Sequence, residues 1–284
     1  MSAAWDSADH PAPDTIGPLG WALALIRGLV LATVVFTGLL VLLCIRLIER
    51  PLCGQGRPVT PHITQTVCKI AFWIMGLRRE VIGTPMRHRG AVVANHTSWL
   101  DIFSLNAAQR IYFVSKSEVA SWPGIGWLAK ATGTLFIERN PKHARKQTEI
   151  FQRRLLDNHR LLFFPEGTST DGKQVLPFKT TLFQSFFAPE LRDAIWVQPV
   201  TVLYTAPVGA DPRFYGWWGD MSFGGHLVRT LASARQGKVT SIYHTPLAVA
   251  DFDNRKTLAQ ACETQVRSAH PSEKIAAPNT AELR

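Results

Sequence analysis

The 284-residue sequence has only four cysteines, Cys44, Cys53, Cys68 and Cys262, and no two stand at a metal-ligand spacing. Three of them lie in or beside an apolar N-terminal region, so they read as reduced thiols in a protein facing the cytosol. No histidine has a convincing ligand partner, so neither a metal nor any other cofactor is expected. Lys and Arg are absent from the first 19 residues, which hold Pro11, Pro13, Pro18 and three aspartates. Without a positive n-region this stretch does not read as a secretory signal, and a loose tail is expected over 1–19. RNP-like, zinc-finger and basic-helix patterns are also missing, which argues against a nucleic-acid partner. So is the G-x-S-x-G elbow of serine hydrolases, because Gly167-x-Ser169-x-Asp171 lacks the second glycine. There is no internal repeat.

Charge is missing from one long run. Residues 28–45 carry none, and at 1.5 Å per residue they reach ~27 Å, close to the ~30 Å of a bilayer core. Arg27 precedes the run, while Arg46, Arg50 and Arg57 follow it, which would put the C-terminal side in the cytoplasm. A span of the inner membrane, a helix lying in one leaflet and a buried core helix all fit. A second helix is expected over 62–77, with Val67, Ile70, Ala71, Trp73 and Ile74 as an apolar stripe. It reads equally as a basic helix on a membrane surface or as an ordinary core-facing helix. The chain as a whole is basic, at +10 with nine tryptophans. That balance fits a membrane surface or an acidic partner.

From residue 80 the pattern changes. Short apolar runs at 80–83, 90–95, 111–115, 134–138, 161–165, 195–204 and 241–247 read as strands. Helical stretches at 98–108, 124–131, 142–157, 178–187 and 227–234 fall between several of them, and 255–268 reads as a last helix. Such alternation predicts an α/β domain with a mainly parallel sheet flanked by helices. The expected organisation is a tail (1–19), membrane-associated helices (20–78), the α/β domain (79–269) and a disordered tail (270–284).

Four strand ends offer chemistry. The run 91–94 ends at Asn95-His96, and Thr97 or Ser98 can cap the helix that follows. The His96 ring can fold back toward Asp101 in the first turn. A carboxylate there can hold one ring nitrogen and leave the other free to take a proton. The plainer reading is a histidine ending a strand and an aspartate favouring a helix N-terminus. The run 134–138 ends in Glu138-Arg139, and arginine suits an oxyanion or phosphate. The run 161–165 enters Glu166-Gly167-Thr168, where Gly167 allows close backbone approach and amide groups can face an oxyanion. Standing alone, the stretch reads as a simple strand-to-turn transition. Gln198-Pro199 places a proline in an apolar run, which suits an edge, a bulge or a kink.

In this order His96-x4-Asp101, residues 133–139, Phe164-Pro165-Glu166-Gly167-Thr168 and Gln198-Pro199-Val200 resemble the four motifs of the glycerolipid acyltransferase family. This is the family of the 1-acylglycerol-3-phosphate acyltransferases, and the likeness covers about residues 80–205. Lys116, Pro123 and Gly126 look like further family positions. The resemblance implies transfer of a fatty acyl group from acyl carrier protein or coenzyme A to the free hydroxyl of a lysolipid, without an acyl-enzyme. It implies His96 as general base and Asp101 as its support. It also implies that Arg139, Glu166, the Gly167-Thr168 backbone and Lys116 line the substrate sites. Phosphate-acceptor members continue the third motif as E-G-T-R-S; here Ser169 stands in place of the arginine. Lys173 or Lys179 can supply a cation instead. The stretch from Asp171 to Lys179 resembles the branch that acylates lyso-ornithine lipid. A thioesterase using the same His–Asp pair and a non-catalytic lipid-binding protein are the alternative functions. The aromatics of 211–225 can dip into a membrane interface or pack on the domain.

Overall fold

The computed structural model describes residues 5–7, 9, 15–138 and 144–271. Its first element, α1 (Pro18–Cys53), is far longer than the charge-free run at its centre. Its 36 residues reach ~54 Å. Only Ala24, Leu31, Leu42 and Glu49 are buried on it. They recur every 7 or 11 residues, close to whole multiples of the helical turn, so one narrow stripe faces the protein. Helix α2 (Thr60–Met75) packs along α1. Glu49 fixes their angle: its carboxylate accepts from the Val59 and Thr60 amides at 2.8 and 3.2 Å and from the Thr60 hydroxyl at 2.7 Å. A carboxylate at the start of α2 also meets the positive end of its dipole.

The chain then alternates: β1 (Arg78–Ile82), β2 (Gly90–Ala94), α3 (Leu100–Ala108), β3 (Tyr112–Lys116), α4 (Ile125–Ala131), β4 (Leu135–Ile137), α5 (Ala144–Leu156) and β5 (Leu161–Phe163). A 3-10 turn (Leu182–Phe187) and a short α6 (Pro189–Arg192) lead to β6 (Trp196–Thr205). After them come α7 (Phe223–Ala232), β7 (Lys238–Tyr243), β8 (Leu247–Ala248) and α8 (Arg255–Ser268). The strands form one sheet in the order β1-β7-β6-β2-β5-β3-β4, with β8 also on β6. From β6 to β4 every pairing is parallel; β7 and β8 run antiparallel to β6. The expected α/β architecture with a mainly parallel sheet is therefore present.

Both faces of the sheet are covered, so its central strands are apolar throughout. Val92 and Ala94 pack toward a core that takes in Leu31 of α1, Phe72 of α2, Leu105 of α3 and Leu231 of α7. Ala91 and Val93 point the other way, toward Phe151 of α5, Phe183 and Phe186 of the 3-10 turn, and Cys262 of α8.

Several local expectations are corrected. Residues 178–181 are not helical: the Phe178 amide donates to Glu263 Oε2 at 2.8 Å and the Lys179 amide to Pro165 O at 2.9 Å, so long-range partners replace those a helix would need. The run 241–247 breaks into β7 and β8 around Pro246. Helix α7 begins four residues early, where the Ser222 hydroxyl accepts from the Gly225 amide. Pro199 lies in central β6, not at an edge. Its carbonyl accepts from the His244 amide at 3.0 Å, so its missing donor faces the gap where β6 exchanges β8 for β7. Among the described residues of the expected tails, Trp5, Asp9 and His270 contact the domain.

Candidate active site

His96 stands just past the carboxyl end of β2, in the middle of the parallel strands. Asn95 extends the ladder beyond the last strand residue: its side-chain amide donates to Val202 O at 2.9 Å and its carbonyl accepts from Val202 N at 2.7 Å. The backbone of His96 is held at both ends. Its amide donates to Glu166 Oε1 at 2.6 Å, and its carbonyl accepts from the Thr170 amide at 2.9 Å. The Thr97 carbonyl accepts from the Trp217 amide at 2.9 Å.

The His96 ring lies flat on Phe164, with centroids 4.0 Å apart and planes 9° apart. Its Nδ1 is 2.7 Å from Asp101 Oδ2. The same oxygen accepts from the Thr97 and Ser98 amides at 2.9 and 3.0 Å, and Oδ1 accepts from the Tyr204 hydroxyl at 2.6 Å. Asp101 therefore ties down the turn before α3, while the Ser98 hydroxyl accepts from the Leu100 amide at 3.3 Å, the capping contact expected of Thr97 or Ser98. The carboxylate is fully buried. A buried charge persists only when its oxygens are satisfied, and here four donors converge on two atoms. Such an acceptor takes the hydrogen from Nδ1, which leaves Nε2 as the nitrogen able to take a proton. Burial and the neighbouring Asp101 charge push the Tyr204 phenol well up, so it stays a donor.

A cavity of about 940 Å³ opens beside the ring. His96, Lys116, Glu138, Gly167, Thr168 and Lys179 are among the residues that line it, with Phe151, Phe163, Phe164, Trp217 and Trp218 as apolar wall. That size and lining suit a largely apolar ligand with a few fixed polar contacts. Gly167 has φ +73°, a region other residues avoid, and a Cβ there would lie 2.7 Å from Lys179 Nζ. Its own amide is taken by Phe164 O at 3.0 Å, so the donors the turn can offer are the Thr168 and Ser169 amides.

Glu166 is placed differently from expectation. It is 1% exposed and does not line the cavity; Oε1 holds the His96 amide and Oε2 holds the Leu176 amide at 2.7 Å. Burial pushes its carboxyl up to about 8, against the two amide bonds that favour the charged form. Lys116 reaches the cavity from the end of β3. Arg139 lies outside the described residues, and Lys173 lines a separate, smaller cavity. Phe214, Tyr215 and Trp218 of the aromatic loop are buried, so these rings pack on the domain.

Three contributors had no sequence signal of their own: Tyr204, Phe164 as a stacking surface, and Asn95 as a false peptide. Tyr204 shares strand parity with Val200, the register partner of Ala94, but pairing of β2 with β6 is invisible in one sequence.

A His–Asp pair at the carboxyl end of a parallel strand, facing a large, mostly apolar cavity, is the equipment of an enzyme that activates a hydroxyl or water against an acyl substrate. Comparison with known proteins narrows the class. Residues 78–203 match the family model described as Acyltransferase. The chain is 59% identical to a lyso-ornithine lipid O-acyltransferase from Rhodobacter capsulatus, over 92% of this chain and 95% of that one. It is 36% identical to a lyso-ornithine lipid O-acyltransferase from Brucella abortus, over 70% and 78%. It is 41% identical to a 1-acyl-sn-glycerol-3-phosphate acyltransferase from Neisseria gonorrhoeae, over 33% and 37%. The crystal structure of the 1-acyl-sn-glycerophosphate acyltransferase PlsC from Thermotoga maritima shares the fold, with a TM-score of 0.57 at 21% identity over 89% of this chain and 98% of that one. The chain belongs to the acyltransferase family.

Proposed function

We propose that the protein transfers a fatty acyl group from a thioester to the free hydroxyl of a lysolipid, with lyso-ornithine lipid as principal acceptor and 1-acylglycerol-3-phosphate as a second. The buried Asp101 that holds His96 against the cavity carries the chemistry of this reading. The likeness to the Rhodobacter capsulatus relative across 92% of the chain carries the acceptor. His96 Nε2 takes the hydroxyl proton as the acceptor oxygen attacks the thioester carbonyl. Asp101 steadies the imidazolium that results. The Thr168 and Ser169 amides stabilise the oxyanion, and Glu166 acts as a positioning residue through the His96 amide. When the C–S bond breaks, the imidazolium returns its proton to the leaving thiolate. Lys116 binds the polar end of the substrates, and Arg139 is assigned the same role by the family resemblance. The donor is acyl carrier protein or acyl-coenzyme A; both are acidic, and a net charge of +10 attracts them.

The catalytic domain, residues 79–269, works on the cytoplasmic face of the inner membrane, and α1 and α2 lie in one leaflet. Two observations support an in-plane anchor over a span. Arg27, near the start of α1, donates to Leu231 O and Ser233 O at 3.0 and 2.7 Å, while Glu49, near its end, also belongs to the packed stripe. Residues ahead of α1 also touch the domain: Trp5 N donates to Thr168 Oγ1 at 3.3 Å, and Arg213 donates to Asp9 O at 2.7 Å. A span would put those residues on the far side of the membrane. Leu25, Leu29, Leu40, Leu47, Trp73 and Trp127 are exposed and available to lipid.

Purified protein in detergent, given labelled acyl carrier protein with either lysolipid, tests the reaction. Labelled ornithine lipid that depends on acceptor and vanishes in His96→Ala is the expected result. Thioester loss without an acceptor would indicate a hydrolase, and product retained in His96→Ala would remove the general base.

A further inference from the structure

The cavity beside His96 covers the carboxyl ends of β3, β4 and β5, and both faces of the sheet contribute to its wall. Phe164 belongs to the face that carries α1 and α2, whereas Phe151 and Phe163 belong to the face that carries α5 and α8. A lipid held in the leaflet of α1 and α2 reaches the cavity from the first face. A soluble donor is free to approach from the second.

That second wall is not uniformly apolar. Helix α5 contributes Gln147, one turn before Phe151 on the same helix face, and the 3-10 turn contributes Ser185, between Phe183 and Phe186. The Gln152 side chain donates to Ser185 O at 3.3 Å and ties the two elements together. Ser185 is 4% exposed. Its hydroxyl and the Gln147 carboxamide line the cavity and make no hydrogen bond with any described residue. Buried polar groups are nearly always satisfied, so such groups in an aromatic wall point to a ligand that brings its own donors and acceptors. Both are neutral, and a carboxamide donates as well as accepts. They match a secondary amide better than a charged head group or a plain hydrocarbon chain.

We propose that Gln147 and Ser185 form the subsite for the amide-bearing arm of the thioester donor. This rests on the acyltransferase reading above. Acyl carrier protein and coenzyme A present the acyl group on the same pantetheine arm, a neutral chain with two secondary amides. The arm enters over α5 and the 3-10 turn and carries the thioester to His96, while the acceptor hydroxyl arrives from the membrane face. The two substrates then meet at the carboxyl end of the sheet without sharing an entrance.

The test sets two inhibitors against labelled acyl carrier protein: the dodecyl thioethers of pantetheine and of 2-mercaptoethanol. The second keeps the sulfur and the chain but has neither amide. Wild-type enzyme should bind the pantetheine thioether at least about tenfold more tightly, the size of one or two neutral hydrogen bonds. Gln147→Met and Ser185→Ala should each narrow that ratio about threefold, and the double variant should bring the two inhibitors close together, with KM for 3-hydroxyacyl-ornithine unchanged. Equal weakening of both thioethers would mean that these side chains only shape the wall. A raised acceptor KM with the inhibitor ratio intact would assign them to the amide of the acceptor, and a wild-type ratio near one would leave only water on them. Each of these three results overturns the subsite. No product from wild type with either acyl carrier protein or acyl-coenzyme A would overturn the proposed function itself.

Discussion

Asp101→Asn is the sharpest perturbation of the site, because Tyr204 decides its outcome. In a triad whose aspartate becomes asparagine, the amide can hold the histidine in the wrong tautomer and cost about 10⁴ in kcat. Here the geometry offers an escape. With its carbonyl at the Oδ2 position, the substituted side chain still accepts from the Thr97 and Ser98 amides and from His96 Nδ1. Its NH2 then faces the Tyr204 oxygen, which lies 2.6 Å from Oδ1 and can turn from donor to acceptor. The tautomer survives and only the charge is lost. The difference between a charged and a neutral hydrogen bond is about 1–2 kcal/mol, or roughly 5–30-fold in kcat. Tyr204→Phe alone leaves three donors on the carboxylate and should change kcat less than about fivefold, at a stability cost of about 1.5–3 kcal/mol. Together the two substitutions leave the amide NH2 against a phenyl ring, or turn it toward two amide donors and the wrong tautomer. The double variant should lose about 10³–10⁴ in kcat, far beyond the product of the single losses. Single-turnover acyl transfer, with circular dichroism as a check on folding, measures all four proteins. A thousandfold loss in folded Asp101→Asn alone, or simple additivity, would refute the role given to Tyr204.

Three further outcomes follow from the same structure. Glu166 is held up to about 8 in the fold against a usual value near 4.5, so folding takes up a proton and its contribution to stability falls as pH rises from about 4.5 to about 8. Unfolding midpoints of wild type should decline across that window relative to Glu166→Gln; parallel curves would contradict the raised carboxyl. Gly167→Ala adds a Cβ at positive φ against Lys179 and should cost about 1–2 kcal/mol of backbone strain while lowering kcat at least tenfold, by moving the Thr168 and Ser169 amides; unchanged kcat would remove those amides from the reaction. If α1 and α2 lie in one leaflet, brominated lipid should quench the exposed Trp73 and Trp127, and a reporter at residue 10 should stay on the side of the catalytic domain. Periplasmic exposure of that reporter would mean a span.

The strand runs of the sheet were legible in the sequence because a sheet covered on both faces needs nearly continuous apolar strands, and 91–94 is one. Helix 255–268 was legible to the residue, since Asn254 caps its start with bonds to the Lys256 and Thr257 amides. The His96–Asp101 contact could be anticipated because it spans little more than one turn. What escaped was long-range. Tyr204 stands 103 residues from Asp101, Glu166 70 from His96, and Trp5 163 from Thr168. Spacing within a segment says nothing about such pairs. The family resemblance implies a substrate-lining glutamate; buried amides claim both of its oxygens instead.

The docking of α1 on α7 has a consequence for how the chain is made. Arg27 meets Leu231 and Ser233 across 204 and 206 residues. The helix emerges first from the ribosome, yet its inward stripe has no finished surface to rest on until almost the whole domain has been synthesised. In the interval its apolar residues need another shelter. If α1 lies in one leaflet as proposed, the bilayer acts as a holding surface during synthesis, and assembly ends when the completed domain folds down onto it.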